Sequence, residues 1–313
     1  MKYFVTGCAG FIGSEFVEQL LLDANTESVI GFDALTYAGK TKSMEKFANH
    51  DRFRFIKGDI TEVRELEEAI PDNSVVINFA AESHVDRSIE NPNIFLATNI
   101  VGVGNLLDVS LKKNVKKFVQ ISTDEVLGSI DKGSWKSSDP LLPNSPYSAS
   151  KASAELLVRS YGKTYGLSYL ITRSSNNYGP RQATEKLIPK LITSMLQDLP
   201  LTIYGNGMNV REWVHVSDNV KIILNLLDNG AEGVWNIPGG HERNNREIVE
   251  ILRSLIPEST SETVYVKDRL GHDLRYSMDS TEYQLKYGDL KRLSLEAGLQ
   301  DTIAWYRNRK ELW

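Results

Sequence analysis

Two short runs carry the chain's most reactive side chains. Ser122-Thr123-Asp124-Glu125 sets a hydroxyl beside two adjacent carboxylates, and Tyr147-Ser-Ala-Ser-Lys151 sets a phenol four residues before an amine. Positions four apart on a helix share one face. A tyrosine has an ordinary pKa of ~10, too high for an efficient base near neutrality, and a nearby ammonium favours its phenolate. The second run therefore predicts a helix, starting after Pro146, on which Tyr147 removes a proton from a sugar hydroxyl. Lys151 is expected to hold a ribose and to lower the tyrosine pKa. Such Tyr-x-x-x-Lys chemistry is alcohol oxidation with a nicotinamide cofactor. Oxidation alone needs no carboxylate pair. Paired carboxylates divide roles when their environments separate their pKa values, so Asp124 and Glu125 point to an added step in which one acid expels a hydroxyl and one base takes a proton. Thr123 stands where it can bond the hydroxyl being oxidised.

The elements that must position these groups are legible as alternating strands and helices. Candidate strands are Tyr3–Thr6, Val29–Phe32, Phe53–Ile56, Val75–Phe79, Lys117–Ile121 and Ser168–Thr172. Several are continuous apolar runs, the pattern of strands buried on both faces of a parallel sheet. Helical patterns lie between them at Gly13–Asp23, Glu62–Ala69, Pro92–Lys113 and Tyr147–Tyr165. This alternation predicts an α/β fold with a doubly wound parallel sheet. After residue 175 the segments shorten and mix: Glu185–Leu199, Leu201–Ile203, Val210–His215, Ser217–Asn229, Val234–Ile237, Arg246–Leu255 and Val264–Val266. The expected organisation is a Rossmann domain at 1–175 carrying the catalytic residues, and a smaller mixed α/β substrate-binding lobe at 176–313, interleaved with the first.

Gly7-Cys-Ala-Gly10-Phe11-Ile12-Gly13 follows the first strand and opens the first helix. Glycines at this spacing allow a tight turn and a close backbone approach to a pyrophosphate, whose charge the helix amino-terminus stabilises. Asp33 ends the second strand, twenty residues after Gly13. A carboxylate there binds both ribose hydroxyls and repels a 2′-phosphate, which favours NAD over NADP. Asp59 and Ile60 after the third strand, and Ala80 and Ala81 after the fourth, fall on the carboxyl edge, where this architecture binds ligands. Cys8 reads as a small loop residue.

The bulk numbers exclude several classes. A net charge of −5 argues against a nucleic-acid-binding surface, and a single cysteine excludes an intramolecular disulfide or a Cys-based zinc site. The five histidines (His50, His84, His215, His241, His272) show no metal-ligand spacing, so no metal is expected. No run approaches ~18 apolar residues, and the first residues pass from a short strand into a glycine loop. No membrane association or signal peptide is expected, and a cytoplasmic enzyme is the default.

The chain resembles the extended short-chain dehydrogenases/reductases, and within them the nucleotide-sugar 4,6-dehydratases. The resemblance is carried by Asp33-Ala-Leu-Thr-Tyr-Ala-Gly39, Ala80-Ala-Glu-Ser-His-Val-Asp-Arg-Ser-Ile89, Ser122-Thr-Asp-Glu-Val126, Ser145-Pro-Tyr-Ser-Ala-Ser-Lys-Ala152, Ser175-Asn-Asn-Tyr-Gly-Pro180, Glu185-Lys-Leu-Ile-Pro189 and Gly271-His-Asp273. It implies a tightly held NAD and a nucleotide-diphosphate hexose, dTDP-glucose first and a UDP-sugar second. Tyr147 would take the C4 hydroxyl proton, Glu125 the C5 proton, and Asp124 would protonate the departing C6 hydroxyl. The resemblance also implies substrate contacts at Ser83, Thr123, Asn176, Lys186, Arg211, Asn245, Arg269 and His272, with Asn177 at the nicotinamide end. For Arg211 the bland alternative is a pair with Glu212, and for His272 a simple loop histidine.

Leu127, Leu270 and the short 128–145 loop depart from the family pattern. A 4-epimerase shares the NAD loop and Tyr-x-x-x-Lys but needs no Asp-Glu pair. A non-catalytic NAD-sensing protein has no reason to hold Thr123, Tyr147 and Lys151 together. The apolar positions Phe95, Leu96, Ile100, Val103, Leu106 and Leu107, with Leu156, Leu157 and Tyr161, would supply a core face and, by resemblance, a homodimer face.

Overall fold

The computed structural model describes residues 1–289 and 291–312. In chain order its strands are β1 (Lys2–Thr6), β2 (Ser28–Asp33), β3 (Phe53–Lys57), β4 (Val75–Asn78), β5 (Lys117–Thr123) and β6 (Tyr169–Ser174), then β7 (Asn176–Tyr178), β8 (Leu201–Tyr204), β9 (Val210–His215), β10 (Gly233–Ile237), β11 (Glu242–Asn244) and β12 (Thr263–Val266). The chain divides into two compact units. One comprises Met1–Val126, Pro140–Arg173 and Val220–Trp235, the other Leu127–Asp139, Ser174–Asn219 and Asn236–Trp313.

The first unit is built on a seven-stranded sheet in the order β3-β2-β1-β4-β5-β6-β10. β1 pairs in parallel with β2 on one side and β4 on the other, Thr6 lying opposite both Phe32 and Asn78. The chain reverses direction across the sheet at this point, which opens a crevice beyond the carboxyl ends of β1 and β4. Phe4, Val5, Val76, Ile77, Phe118 and Val119 are fully buried, as a sheet covered on both faces requires. The core continues into Leu106, Leu107, Ala154 and Val158 of the covering helices.

Those helices are α1 (Phe11–Leu20), α2 (Val63–Ala69), α3 (Val85–Glu90), α4 (Pro92–Leu96), α5 (Val103–Lys112) and α6 (Pro146–Tyr165). The expected single helix over Pro92–Lys113 is interrupted: Ala97–Gly102 is a π-turn between α4 and α5. Asn99, buried at its centre, spends its amide on Glu82 and on the Ser150 hydroxyl. Such turns mark sites where an inserted residue serves a local purpose. By length and composition Pro92–Lys112 could cross a membrane; Phe95, Val103, Leu106, Leu107 and Val109 are instead buried in this unit. α6 is strongly delimited. Ser145 and Ser148 form a capping box, Pro146 opens the helix, and Gly166 closes it at φ 71°.

The second unit holds a three-stranded sheet, β11-β9-β7, and the parallel pair β12-β8. Its helices are α7 (Leu187–Met195), α8 (Val216–Asp228, whose later turns belong to the first unit), α9 (Asn245–Leu255), α10 (Thr281–Tyr287) and α11 (Leu295–Arg307). Tyr178, Leu191, Trp213, Leu252, Leu299 and Ile303 pack as one core. The two units interleave along the chain: Val220–Trp235 returns to the first unit, and β10 is the seventh strand of its sheet. α3, α10 and α11 were not expected from the sequence.

Candidate active site

The glycine loop lines a cleft of about 600 Å³ together with Asp33, Asp59, Ile60, Ala80 and Ala81. Gly7 sits at φ 67°, and a Cβ there would lie 2.6 Å from the Ala80 nitrogen; a Cβ on Gly13 would lie 2.1 Å from the Gly7 carbonyl oxygen. No larger residue fits either position, so backbone lies bare against the cleft. Gly10 caps α1, and Phe11 and Ile12 are its first residues, whose N–H groups have no intrahelical acceptor. Asp33 is nearly buried. One of its oxygens accepts from Ala9 N at 2.9 Å and the other from Leu35 N at 2.8 Å. Burial raises its pKa, while those two N–H groups oppose the rise. Asp59 accepts from the Thr61 amide and hydroxyl. Bare loop, helix start and terminal carboxylate are the parts a dinucleotide requires. Cys8 is fully buried, its thiol pushed up by burial and by Asp33, which suits a small packing residue.

Thr123 ends β5, and Asp124 and Glu125 open the short turn that follows. The Thr123 hydroxyl donates to the Asp124 carboxylate at 3.1 Å and accepts from Glu125 N at 3.3 Å. Asp124 is 3% exposed and Tyr147 9%. The tyrosine stands on the first turn of α6, its ring edge against Phe95. Burial raises its pKa most, then the charges of Glu125 and Asp124, while a hydrogen bond from Thr123 opposes the rise. All four groups therefore act on one another. Lys151, buried one turn later, is lowered to about 8 by burial, with Glu155 opposing. Its ammonium donates to the Ile121 carbonyl at 2.6 Å. Desolvation and two carboxylates thus hold the tyrosine pKa up in this chain. Ser83 lies in the loop after β4, within this same unit.

The remaining candidates belong to the second unit. Asn176 and Asn177 are on β7, opposite Trp213 and Val214 of β9. Asn177 donates to the Ser175 carbonyl at 3.0 Å. Lys186 caps α7. Arg211 is 8% exposed, bonds the backbone oxygens of Val210 and Asp273, and lies over the Tyr276 ring. It does not pair with Glu212, whose carboxylate instead accepts from Gly240 N and Met278 N. Asn245 opens α9, and its buried side-chain oxygen has no hydrogen-bond partner among the described residues. Arg269 lies over the Tyr204 ring. His272 bonds Asp268 at 2.7 Å, and burial lowers its pKa, with Arg211 and Arg269 adding to the fall. Arg211, Arg269 and His272 thus share one electropositive neighbourhood.

Sequence reasoning missed the groups beneath the site. Glu155 is fully buried, and it continues the four-residue spacing of Tyr147 and Lys151. That spacing was the available signal.

The family model described as GDP-mannose 4,6 dehydratase matches residues 4–302. The dTDP-glucose 4,6-dehydratase of Streptomyces griseus is 44% identical, over 99% of this chain and 95% of its own length. The crystal structure of the dTDP-glucose 4,6-dehydratase DesIV of Streptomyces venezuelae, with NAD bound, superposes with a TM-score of 0.97 at 45% identity, covering 100% of this chain and 99% of that one. A UDP-glucose 4-epimerase of Thermotoga maritima superposes at 0.90 with 30% identity, covering 99% and 100%. The chain therefore belongs to the GDP-mannose 4,6 dehydratase family, the nucleotide-sugar 4,6-dehydratases among the extended short-chain dehydrogenases/reductases.

Proposed function

We propose that this chain is an NAD-dependent hydro-lyase that converts dTDP-glucose to its 4-keto-6-deoxy sugar. The observation that carries the reading is that Asp124 and Glu125 both act electrostatically on Tyr147. The acid–base pair and the oxidation base thus address one substrate. The cleft residues Gly7, Gly10, Asp33 and Ala80, with Gly13 packed against the Gly7 carbonyl, fit a dinucleotide, and the Asp33 carboxylate selects NAD. Bound NAD supplies a hydride acceptor for C4 and then a hydride donor for C6. Tyr147 takes the C4 hydroxyl proton while Thr123 orients that hydroxyl. The resulting ketone acidifies C5, and Glu125 removes its proton. Asp124, the more deeply buried carboxylate, protonates the departing C6 hydroxyl. Separate acid and base groups are what elimination beside a ketone demands.

Arg211, Arg269 and Lys186 are assigned to the diphosphate, a charge that guanidinium forks bind well. Asn245 supplies an acceptor, and Asn176, Asn177 and His272 complete the contacts. The name of the 44%-identical relative, a dTDP-glucose 4,6-dehydratase, supports dTDP over UDP. Fold alone does not separate dehydratase from epimerase; Asp124-Glu125 does. The reading includes a cytoplasmic homodimer. Ile94, Leu96 and Val101 on the long helix and Leu156 on α6 are exposed apolar groups suited to pairing, and sedimentation showing monomer alone at micromolar concentration would exclude it.

The test is incubation with a panel of nucleotide hexoses in D2O, without added cofactor. Mass spectrometry should show loss of water with deuterium at C5 for dTDP-glucose. An epimerised product of unchanged mass would overturn the reading.

A further inference from the structure

One side-chain cluster beneath the site is not used by the proposed chemistry. Glu155 lies two turns after Tyr147 and one after Lys151 on α6. Its side chain is 0% exposed and that of Arg173, on β6, is 1%. Arg173 grips the carboxylate with two nitrogens, Nε at 3.1 Å from both oxygens and Nη2 at 2.8 Å. The Ser122 hydroxyl donates to the same carboxylate at 2.5 Å. Ser122 directly precedes Thr123, and the residue before it, Ile121, is the one whose carbonyl takes the Lys151 ammonium. Helix α6 is therefore stitched to the end of β5 twice, one helical turn apart.

A buried ion pair is a poor device for stability, because an apolar pair of similar volume is often as good or better. Its retention needs another reason, and Lys151 supplies one. A buried ammonium is disfavoured by desolvation. Its ammonium meets the Ile121 carbonyl of β5, Tyr147 and Glu155 lie one turn to either side of it on α6, and Arg173 of β6 is bound to Glu155. Glu155 is the charge that opposes the fall in the Lys151 pKa.

We infer that Glu155, clamped by Arg173 and Ser122, is a positioning residue that holds Lys151 against β5 and keeps its amine charged. The inference rests on the reading of Lys151 as the group that holds the cofactor ribose. A charged amine donates three hydrogen bonds. One goes to Ile121, and the others are left for ribose oxygens. Without the carboxylate the amine gives up its proton at lower pH and binds the ribose less well.

The test reads NAD+ affinity, followed by tryptophan quenching on the full-length chain freed of nucleotide, across a pH range that brackets 8. The wild-type chain should lose affinity as pH rises through about 8. Glu155→Gln should move that midpoint down by about one pH unit, as loss of a near opposite charge does. Glu155→Asp, which keeps the charge, should restore the wild-type midpoint. An unchanged midpoint in folded Glu155→Gln overturns the inference. Where Glu155→Gln fails to fold because Arg173 loses this carboxylate, the double variant Glu155→Gln/Arg173→Gln removes both charges and is read by the same criterion. A wild-type chain that binds NAD+ with no pH dependence near 8 overturns this inference alone. Loss of dehydration with that dependence intact overturns only the proposed reaction.

Discussion

The Lys151 ammonium is anchored on the Ile121 carbonyl, 2.6 Å away on the neighbouring strand. The helix thus presents Tyr147 and Lys151 to different partners. Tyr147 faces the Thr123-Asp124-Glu125 turn, where burial and carboxylates keep it a phenol. Lys151 is turned back to the strand. On the proposed chemistry, an oxidised nicotinamide bound beside Tyr147 would bring a positive charge that favours the phenolate.

Tyr147→Phe removes the proton acceptor and leaves the packing against Phe95 in place. kcat for dehydration should fall by about 10²–10⁴-fold, the ordinary worth of a general base, with NAD retained. Single-turnover assays and the nucleotide content of the purified variant check both parts. A kcat within a few-fold of wild type would remove Tyr147 from its role.

Glu125→Gln should retain NAD yet abolish deuterium uptake at C5. A second consequence follows from charge. Glu125 raises the Tyr147 pKa, so its neutralisation should lower that pKa and move the phenol-dependent limb of C4 oxidation to lower pH. Unchanged C5 exchange in the folded variant would reassign the base.

Lys151→Met tests the cost of burying an amine. The folded pKa of about 8 lies below the ordinary 10.5. Between those values the unfolded chain binds more protons, so stability rises with pH across that window, and below about 8 the full penalty is present. The difference sets an upper bound of roughly 3 kcal/mol. Lys151→Met should therefore raise the urea midpoint at neutral pH, flatten the rise above pH 8, and weaken NAD binding. Equal urea midpoints across that window in the wild-type chain would contradict the burial argument.

Gly13→Ala places a methyl 2.1 Å from the Gly7 carbonyl oxygen. The loop has to open to admit it, at a cost of roughly 1–3 kcal/mol. Tm should fall and NAD should copurify poorly, while the second unit keeps its near-ultraviolet signature. Undiminished NAD occupancy would show that the tight turn is dispensable.

Much of the first unit was legible because its signals are local. β1, β2 and β4 are continuous apolar runs, and each lies within a residue or two of its expected bounds. Pro146 and Gly166 mark α6 by backbone chemistry. α11 was missed although Leu295, Leu299 and Ile303 recur at helical spacing and are buried. It comes after an irregular stretch, where no strand–helix alternation prepared the reading. β10 was seen as a strand, but its membership in the seven-stranded sheet depends on pairing with β6, a contact no local pattern encodes. The π-turn at Asn99 escaped for the same reason: its cause is a bond to Ser150, 51 residues away.

From the sequence alone came the reactive groups, the dinucleotide loop and the helix that spaces Tyr147 from Lys151, because spacing four apart on a helix is a property of the chain itself. The tertiary structure decided the state of those groups. Proximity in sequence made Lys151 the expected partner of the tyrosine, but the carbonyl of Ile121 and the carboxylate of Glu155 reach it across thirty residues and along a buried helix face. Desolvation and through-space charge depend on what surrounds a side chain, and only folding assembles those surroundings.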